Sequence, residues 1–183
     1  MKNEPTFLEI LLTKIAFYFY GKSVYKSFAD RLPLNGGERV LDFGCGMGTV
    51  AYYAAKKLTH GHLTCMDISG RWLNACRSTL RDYENISYIL CESPDLEDEC
   101  FDIVYCHFVL HDISKSELEK TVPALINSLR TGGIFAFREP LNEADKLKVI
   151  KDLTEKNRLI LKESRVTDIP LMGNALESLY VKQ

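Results

Sequence analysis

A chain of 183 residues, 46% apolar and 26% charged, has the length and balance of one globular domain able to bury a core. A formal net charge of -2 excludes the broad basic excess of a nonspecific nucleic-acid binder. The six cysteines (Cys45, Cys65, Cys76, Cys91, Cys100 and Cys106) form no C-x-x-C pair. They read as reduced thiols of a cytoplasmic protein, with no disulfide framework and no metal site expected.

In chain order, the N-terminal stretch carries Glu4, Glu9 and Lys14 and no small-residue cleavage site, which argues against a signal peptide. The apolar run from Phe7 to Tyr20 is too short and too interrupted to span a bilayer. Phe7, Leu8, Leu11, Leu12, Ile15 and Phe19 recur at helical spacing and predict an amphipathic helix. A second short helix is expected over 23–32, closed by Pro33 and Asn35-Gly36-Gly37. Strands are predicted at 39–43, 62–67, 86–91, 101–106 and 134–138. Helices are predicted between them at 49–58, from a Ser69 cap onward, and at 115–129, with another at 142–157. Two further strands, 159–163 and 176–181, flank a loop holding Pro170 and Gly173-Asn174. No helix fits between them, so they should pair antiparallel.

Repeated strand-helix alternation predicts an α/β fold, a three-layer α/β/α Rossmann-like sandwich. Its seven-stranded sheet is mostly parallel with an antiparallel C-terminal hairpin. Residues 1–183 are expected to form one domain: an N-terminal helical cap at 1–37, a cofactor-binding core at 38–140, and a C-terminal helix and strand hairpin at 141–183.

Ligands of such sheets bind beyond the C-terminal strand ends. After the first strand stands Asp42-Phe43-Gly44-Cys45-Gly46-Met47-Gly48, after the second Asp67-Ile68-Ser69, after the third Glu92-Ser93, after the fourth His107. A glycine loop followed by an acid about 20 residues on is the pattern of an adenosine-containing cofactor. A nicotinamide dinucleotide would want G-x-G-x-x-G against its pyrophosphate. Here the spacing is G-x-G-x-G, and Asp42 would face a dianionic bridge. A ligand with an ammonium and a sulfonium suits these acids better, which points to S-adenosylmethionine.

On these motifs the chain resembles the class I S-adenosylmethionine-dependent methyltransferases, over about 38–140. The resemblance implies that Asp42, Gly44, Cys45 and Gly46 wrap the methionine moiety. It implies that Asp67 takes both ribose hydroxyls, that Ile68 packs on adenine, and that Glu92 or the neighbouring Ser93 N–H reads the adenine edge. Phe101 to His107 matches the fourth-strand motif, placing Cys106 and His107 at the cofactor through their backbone. Arg130-Thr131-Gly132-Gly133 matches the turn before the fifth strand.

The implied reaction is an in-line displacement at a methyl carbon, which needs alignment above all. A base is needed only for a protonated nucleophile; His111 and His107, near the expected methyl position, are the candidates. The alternatives are that His111 only caps a turn and that His107 contributes backbone alone. Glu139 can orient a substrate amine or be a solvated strand-end carboxylate. Tyr20 or Tyr25 can close the acceptor pocket, or simply pack on the domain. The expected partner is a small-molecule methyl acceptor, with no nucleic acid and a monomer or homodimer. The alternative functions are an RNA or protein methyltransferase working with a partner, or a non-catalytic S-adenosylmethionine-binding module.

Overall fold

The computed structural model describes residues 4–170 and 172–183. Seven strands run β1 (Arg39–Phe43), β2 (His62–Asp67), β3 (Ile86–Leu90), β4 (Phe101–His107), β5 (Leu129–Pro140), β6 (Leu159–Ile169) and β7 (Gly173–Lys182). They form one seven-stranded sheet in the order β3-β2-β1-β4-β5-β7-β6. The expected α/β class, mostly parallel with an antiparallel hairpin, is the observed one. The chain divides into two compact units, Met1–Glu92 and Ser93–Gln183.

In the first unit, β1 pairs with β2 and β2 with β3, all parallel. Val40, Leu41, Leu63 and Cys65 are fully buried, as a strand covered on both faces requires. Helices α3 (Ala51–Ala55) and α4 (Gly70–Thr79) pack against these strands. Ser69 caps α4 as expected, its Oγ accepting the Trp72 N–H at 3.1 Å. Leu73, Cys76 and Leu80 then turn inward. The helix expected at 49–58 shortens to Ala51–Ala55, because positive-φ Gly48 holds the preceding residues in turns.

The N-terminal segment departs from expectation. Helix α1 (Phe7–Tyr20) opens on a Thr6–Glu9 capping box and runs into a π-helical turn, Gly21–Lys26, then α2 (Ser27–Ala29). The separate helix expected at 23–32 is therefore a continuation of the first. The apolar face read from the sequence points outward: Phe7 is 81% exposed and Phe19 71%. The half-buried stripe is Ile10, Thr13, Phe17 and Tyr20, a different line on the same helix. Phe17 meets the rings of Tyr25, Tyr52 and Tyr53 at 5.6–5.9 Å.

In the second unit, β4 pairs parallel with β5, and β7 pairs antiparallel with both β5 and β6. Helices α5 (Lys115–Asn127) and α6 (Ala144–Lys156) pack on each other and on β5 and β6. The last three strands are longer than predicted. Thr131-Gly132-Gly133 lies inside β5, where the register against β4 shifts between Phe101 and Ile103. Gly173 and Asn174 lie inside β7, so the hairpin connection is shorter than the loop expected. The strand expected at 159–163 runs on to Ile169 through the polar residues Ser164, Arg165, Thr167 and Asp168, and nearly all of it is exposed at the sheet edge.

Candidate active site

In the first unit, β1 delivers Asp42 into the glycine loop with only 2% of its surface exposed. The N–H groups of Gly44 and Cys45 both donate to the Met66 carbonyl, at 2.9 and 3.0 Å, so the loop is pinned to the end of β2. One residue on, Asp67 Oδ2 accepts the Gly46 N–H at 2.8 Å and Oδ1 accepts the Ser69 N–H at 2.9 Å. Burial pushes the Asp67 pKa up, against the lowering pull of the N–H groups of Ser69, Gly46 and Ile68. Ile68 is 45% exposed beside it. Glu92 and Ser93 follow the end of β3 on the surface.

The glycines of the loop answer different constraints. Gly46 has φ +53°, and a Cβ built there meets nothing within 4 Å. Its bare face is open. Gly48 has φ +77°, and a Cβ there would lie 2.7 Å from Cys76 Sγ. The third glycine thus serves packing on α4; close approach of a ligand is not what requires it. Beneath the loop the sulfurs of Cys45, Cys65 and Cys76 lie within 4.8 Å of one another, all buried. Hydrogen bonds from Cys45 and Cys65 draw the Cys76 thiol well below the usual thiol range, burial opposing them.

An element the sequence did not signal lies at the start of α4. The Glu4 carboxylate accepts the Ser69 hydroxyl at 2.7 Å and the N–H groups of Gly70 and Arg71 at 3.1 Å. Arg71 Nη1 donates to the Pro5 carbonyl at 3.1 Å. An acid at a helix N-terminus suits the helix dipole, and here it ties residues 4–5 beside Asp67. No spacing rule links residue 4 to residue 69.

In the second unit, Glu139 near the end of β5 is fully buried. Its Oε1 accepts the N–H groups of Val109 and Leu110 at 3.1 and 2.8 Å, and Oε2 accepts the His111 N–H at 3.3 Å. Three successive backbone donors from the loop after β4 therefore converge on one carboxylate. His111 Nδ1 joins them at 2.6 Å from Oε2. The reading of Glu139 as a solvated carboxylate is overturned: its oxygens are taken up by this loop. Phe108, with φ +55°, makes the sharp exit from β4 that brings these donors round.

His111 is half-buried. Burial alone would lower its pKa, but the hydrogen bond and charge of Glu139, with Asp112 and Glu143 adding, raise it overall. His107 is the opposite case. Burial and the Arg138 guanidinium push its pKa well down, so the ring is neutral, and Arg138 Nη1 lies 3.4 Å from Nε2. Arg138 itself is fully buried and donates from Nε to Glu177 Oε2 at 2.8 Å. Cys106 is buried in β4. In the first unit, Tyr20 ends α1 on its half-buried stripe, and Tyr25 lies 5.8 Å from Phe17, its hydroxyl pKa raised by burial.

The family described as a methyltransferase domain matches residues 40–133, about half of the chain. A phosphoethanolamine N-methyltransferase of Triticum aestivum is 34% identical over 112 residues, 59% of this chain and 22% of that protein. A ribosomal protein L11 methyltransferase of Chromohalobacter salexigens is 36% identical over 112 residues, 60% of this chain and 35% of that protein. The chain thus spans about a fifth to a third of the length of these curated relatives. Among solved structures, a SAM dependent methyltransferase from Aquifex aeolicus superposes with a TM-score of 0.74 at 17% identity, covering 94% of this chain and 98% of that one. With the strand order, the glycine loop and Asp67 in place, the chain belongs to the methyltransferase-domain family, in its class I S-adenosylmethionine-dependent form.

Proposed function

We propose that this protein transfers a methyl group from S-adenosylmethionine to a small molecule. The observation that carries the reading is the 2.8 Å bond from the Gly46 N–H to Asp67, which fixes loop and acid as one rigid cradle. In this reading Asp42 holds the donor's ammonium, and Gly44, Cys45 and Gly46 line its methionine end. Asp67 uses its remaining lone pairs for the ribose hydroxyls. Ile68 covers the adenine, Glu92 and Ser93 read its edge, and Cys106 and His107 contribute backbone.

His111 is the base in this reading, and Glu139 acts through it as a positioning residue, its direct contact with a substrate amine being given up. An imidazole whose Nδ1–H is held by a carboxylate presents Nε2 as acceptor for the nucleophile's proton. The sulfonium is a good leaving group, so the remaining requirement is alignment and exclusion of water. Tyr20 and Tyr25 supply the aromatic wall for the acceptor. The named acceptor of the wheat relative, a phosphorylated amine, is of the small-molecule class proposed.

A second reading, a protein acceptor or partner-assisted RNA acceptor, draws on the likeness to the ribosomal protein L11 methyltransferase. The exposed apolar face of α1 would suit such a partner, with Tyr18 83% exposed. Formation of S-adenosylhomocysteine, measured with a panel of small amines, hydroxyl compounds and thiols and with bulk tRNA and ribosomal protein, separates the readings. Turnover with a small molecule is expected. Turnover with tRNA or ribosomal protein alone would replace the first reading by the second. Donor binding without any turnover would leave a binding module.

A further inference from the structure

Three sulfurs from three elements meet beneath the cofactor loop. Cys45 belongs to the loop, Cys65 to β2 and Cys76 to α4. Sequence spacing gives no hint of this, because the residues are 20 and 11 positions apart and in no C-x-x-C pattern. The sheet and the helix bring them together: Cys65 is the register partner of Asp42, and the loop folds back over it through the two N–H bonds to Met66.

The spacing suits metal coordination. A metal–thiolate bond of about 2.3 Å places three sulfurs of a trigonal site about 4 Å apart. All three sulfurs here already lie within 4.8 Å of each other. Contraction by under about 1 Å would bring the three sulfurs to coordination distance. Among the described residues the group holds these three ligands and no fourth histidine, cysteine or carboxylate. A tetrahedral zinc site wants four ligands. An all-sulfur set with three donors favours a softer ion, and copper(I) is the thiophilic ion of that class.

The location couples the cluster to the cofactor loop. Cys45 stands between Gly44 and Gly46, and the Gly46 N–H is the group held by Asp67. Cys76 Sγ lies directly under Gly48, where a Cβ would come within 2.7 Å of it. An ion that draws the sulfurs together therefore acts next to the loop at both points.

We propose that Cys45, Cys65 and Cys76 form a three-sulfur site for a soft, thiol-seeking metal ion of the copper(I) class, and that filling it pulls the glycine loop out of its donor-binding form. Binding replaces the thiol protons by the ion and releases them to solvent, with no change of oxidation state. The second clause rests on the proposed role of the loop; the first stands without it.

The test is anaerobic titration of the purified protein with copper(I), in a Cys91→Ser/Cys100→Ser background that removes the two half-exposed thiols. One ion per chain is expected, with a thiolate-to-metal charge-transfer band and three sulfur neighbours by X-ray absorption. The same band should be lost in Cys65→Ala. Fewer than three sulfur neighbours in the unaltered cluster would overturn the site, and this readout needs no cluster variant to fold. S-adenosylhomocysteine affinity, measured with and without the ion, is expected to fall at least tenfold on loading. Uptake with unchanged affinity would overturn the coupling. If the metal-free protein does not bind S-adenosylhomocysteine at all, the loop assignment fails while metal uptake still decides the site.

Discussion

Glu139 Oε2 lies 2.6 Å from His111 Nδ1, and the same carboxylate gathers the N–H groups of Val109, Leu110 and His111. One buried acid thus shapes the loop after β4 and sets the state of its histidine. The net rise in the His111 pKa gives the sign of a pH effect. Stability from the pair is fully present below the unfolded histidine value of about 6.5 and is lost as pH rises through the folded value. A base must be neutral, so activity should rise across that same upper window. Glu139→Gln removes the raising charge. The acidic limb of the kcat/KM profile should move to lower pH, with a stability loss of about 1–3 kcal/mol from unsatisfied N–H groups. A limb that stays in place would mean that His111 is not the titrating base.

Gly46 and Gly48 should fail in different ways. Gly48→Ala adds a methyl against Cys76 Sγ at a positive φ, and should cost about 1–3 kcal/mol in thermal unfolding. Cys76→Ala should restore part of that loss by removing the clash. Gly46→Ala meets open space, so it should cost only the backbone penalty of about 1 kcal/mol while weakening the cofactor more than Gly48→Ala does. Equal effects of the two on stability would contradict this division of roles.

Arg138, Glu177 and Arg165 stand in register on β5, β7 and β6, so one carboxylate lies between two guanidinium groups. Glu177→Ala leaves the buried Arg138 without that acid and should destabilise by about 3–5 kcal/mol. Arg165 is 40% exposed at its side chain, and Arg165→Ala should cost less than about 1 kcal/mol. Denaturant melts of the two variants measure the difference; similar losses would argue against Arg138 as the group that makes Glu177 necessary.

What was legible in the sequence follows period and local chemistry. Strands β1 and β2 matched residue for residue because each is a largely buried run with an acid at its end or one residue before it, Asp42 in β1 and Asp67 in β2. Ser69 announced α4 because a cap is a local signal. Contacts made at long separation were not legible. His111 and Glu139 stand 28 positions apart with no spacing rule to link them, and only the pairing of β4 with β5 brings the histidine loop over that acid. Which face of α1 turns outward is not legible for a related reason. Helical periodicity counts apolar positions, and this helix has two apolar lines, of which Ile10, Phe17 and Tyr20 belong to the half-buried one. The cysteine cluster was invisible because three thiols in three separate elements share no motif.

The proposed function rests on the loop and Asp67 holding S-adenosylmethionine. Calorimetric titration of the protein and of Asp67→Ala with S-adenosylhomocysteine, with NADH as the rival ligand, tests it most directly. The unaltered protein should bind S-adenosylhomocysteine and not NADH, and Asp67→Ala should lose about 1.5–3 kcal/mol of that affinity as charge-assisted hydrogen bonds to two hydroxyls disappear. Binding of NADH in place of S-adenosylhomocysteine, or unchanged affinity in a folded Asp67→Ala, would mean that the loop and Asp67 do not hold the methyl donor.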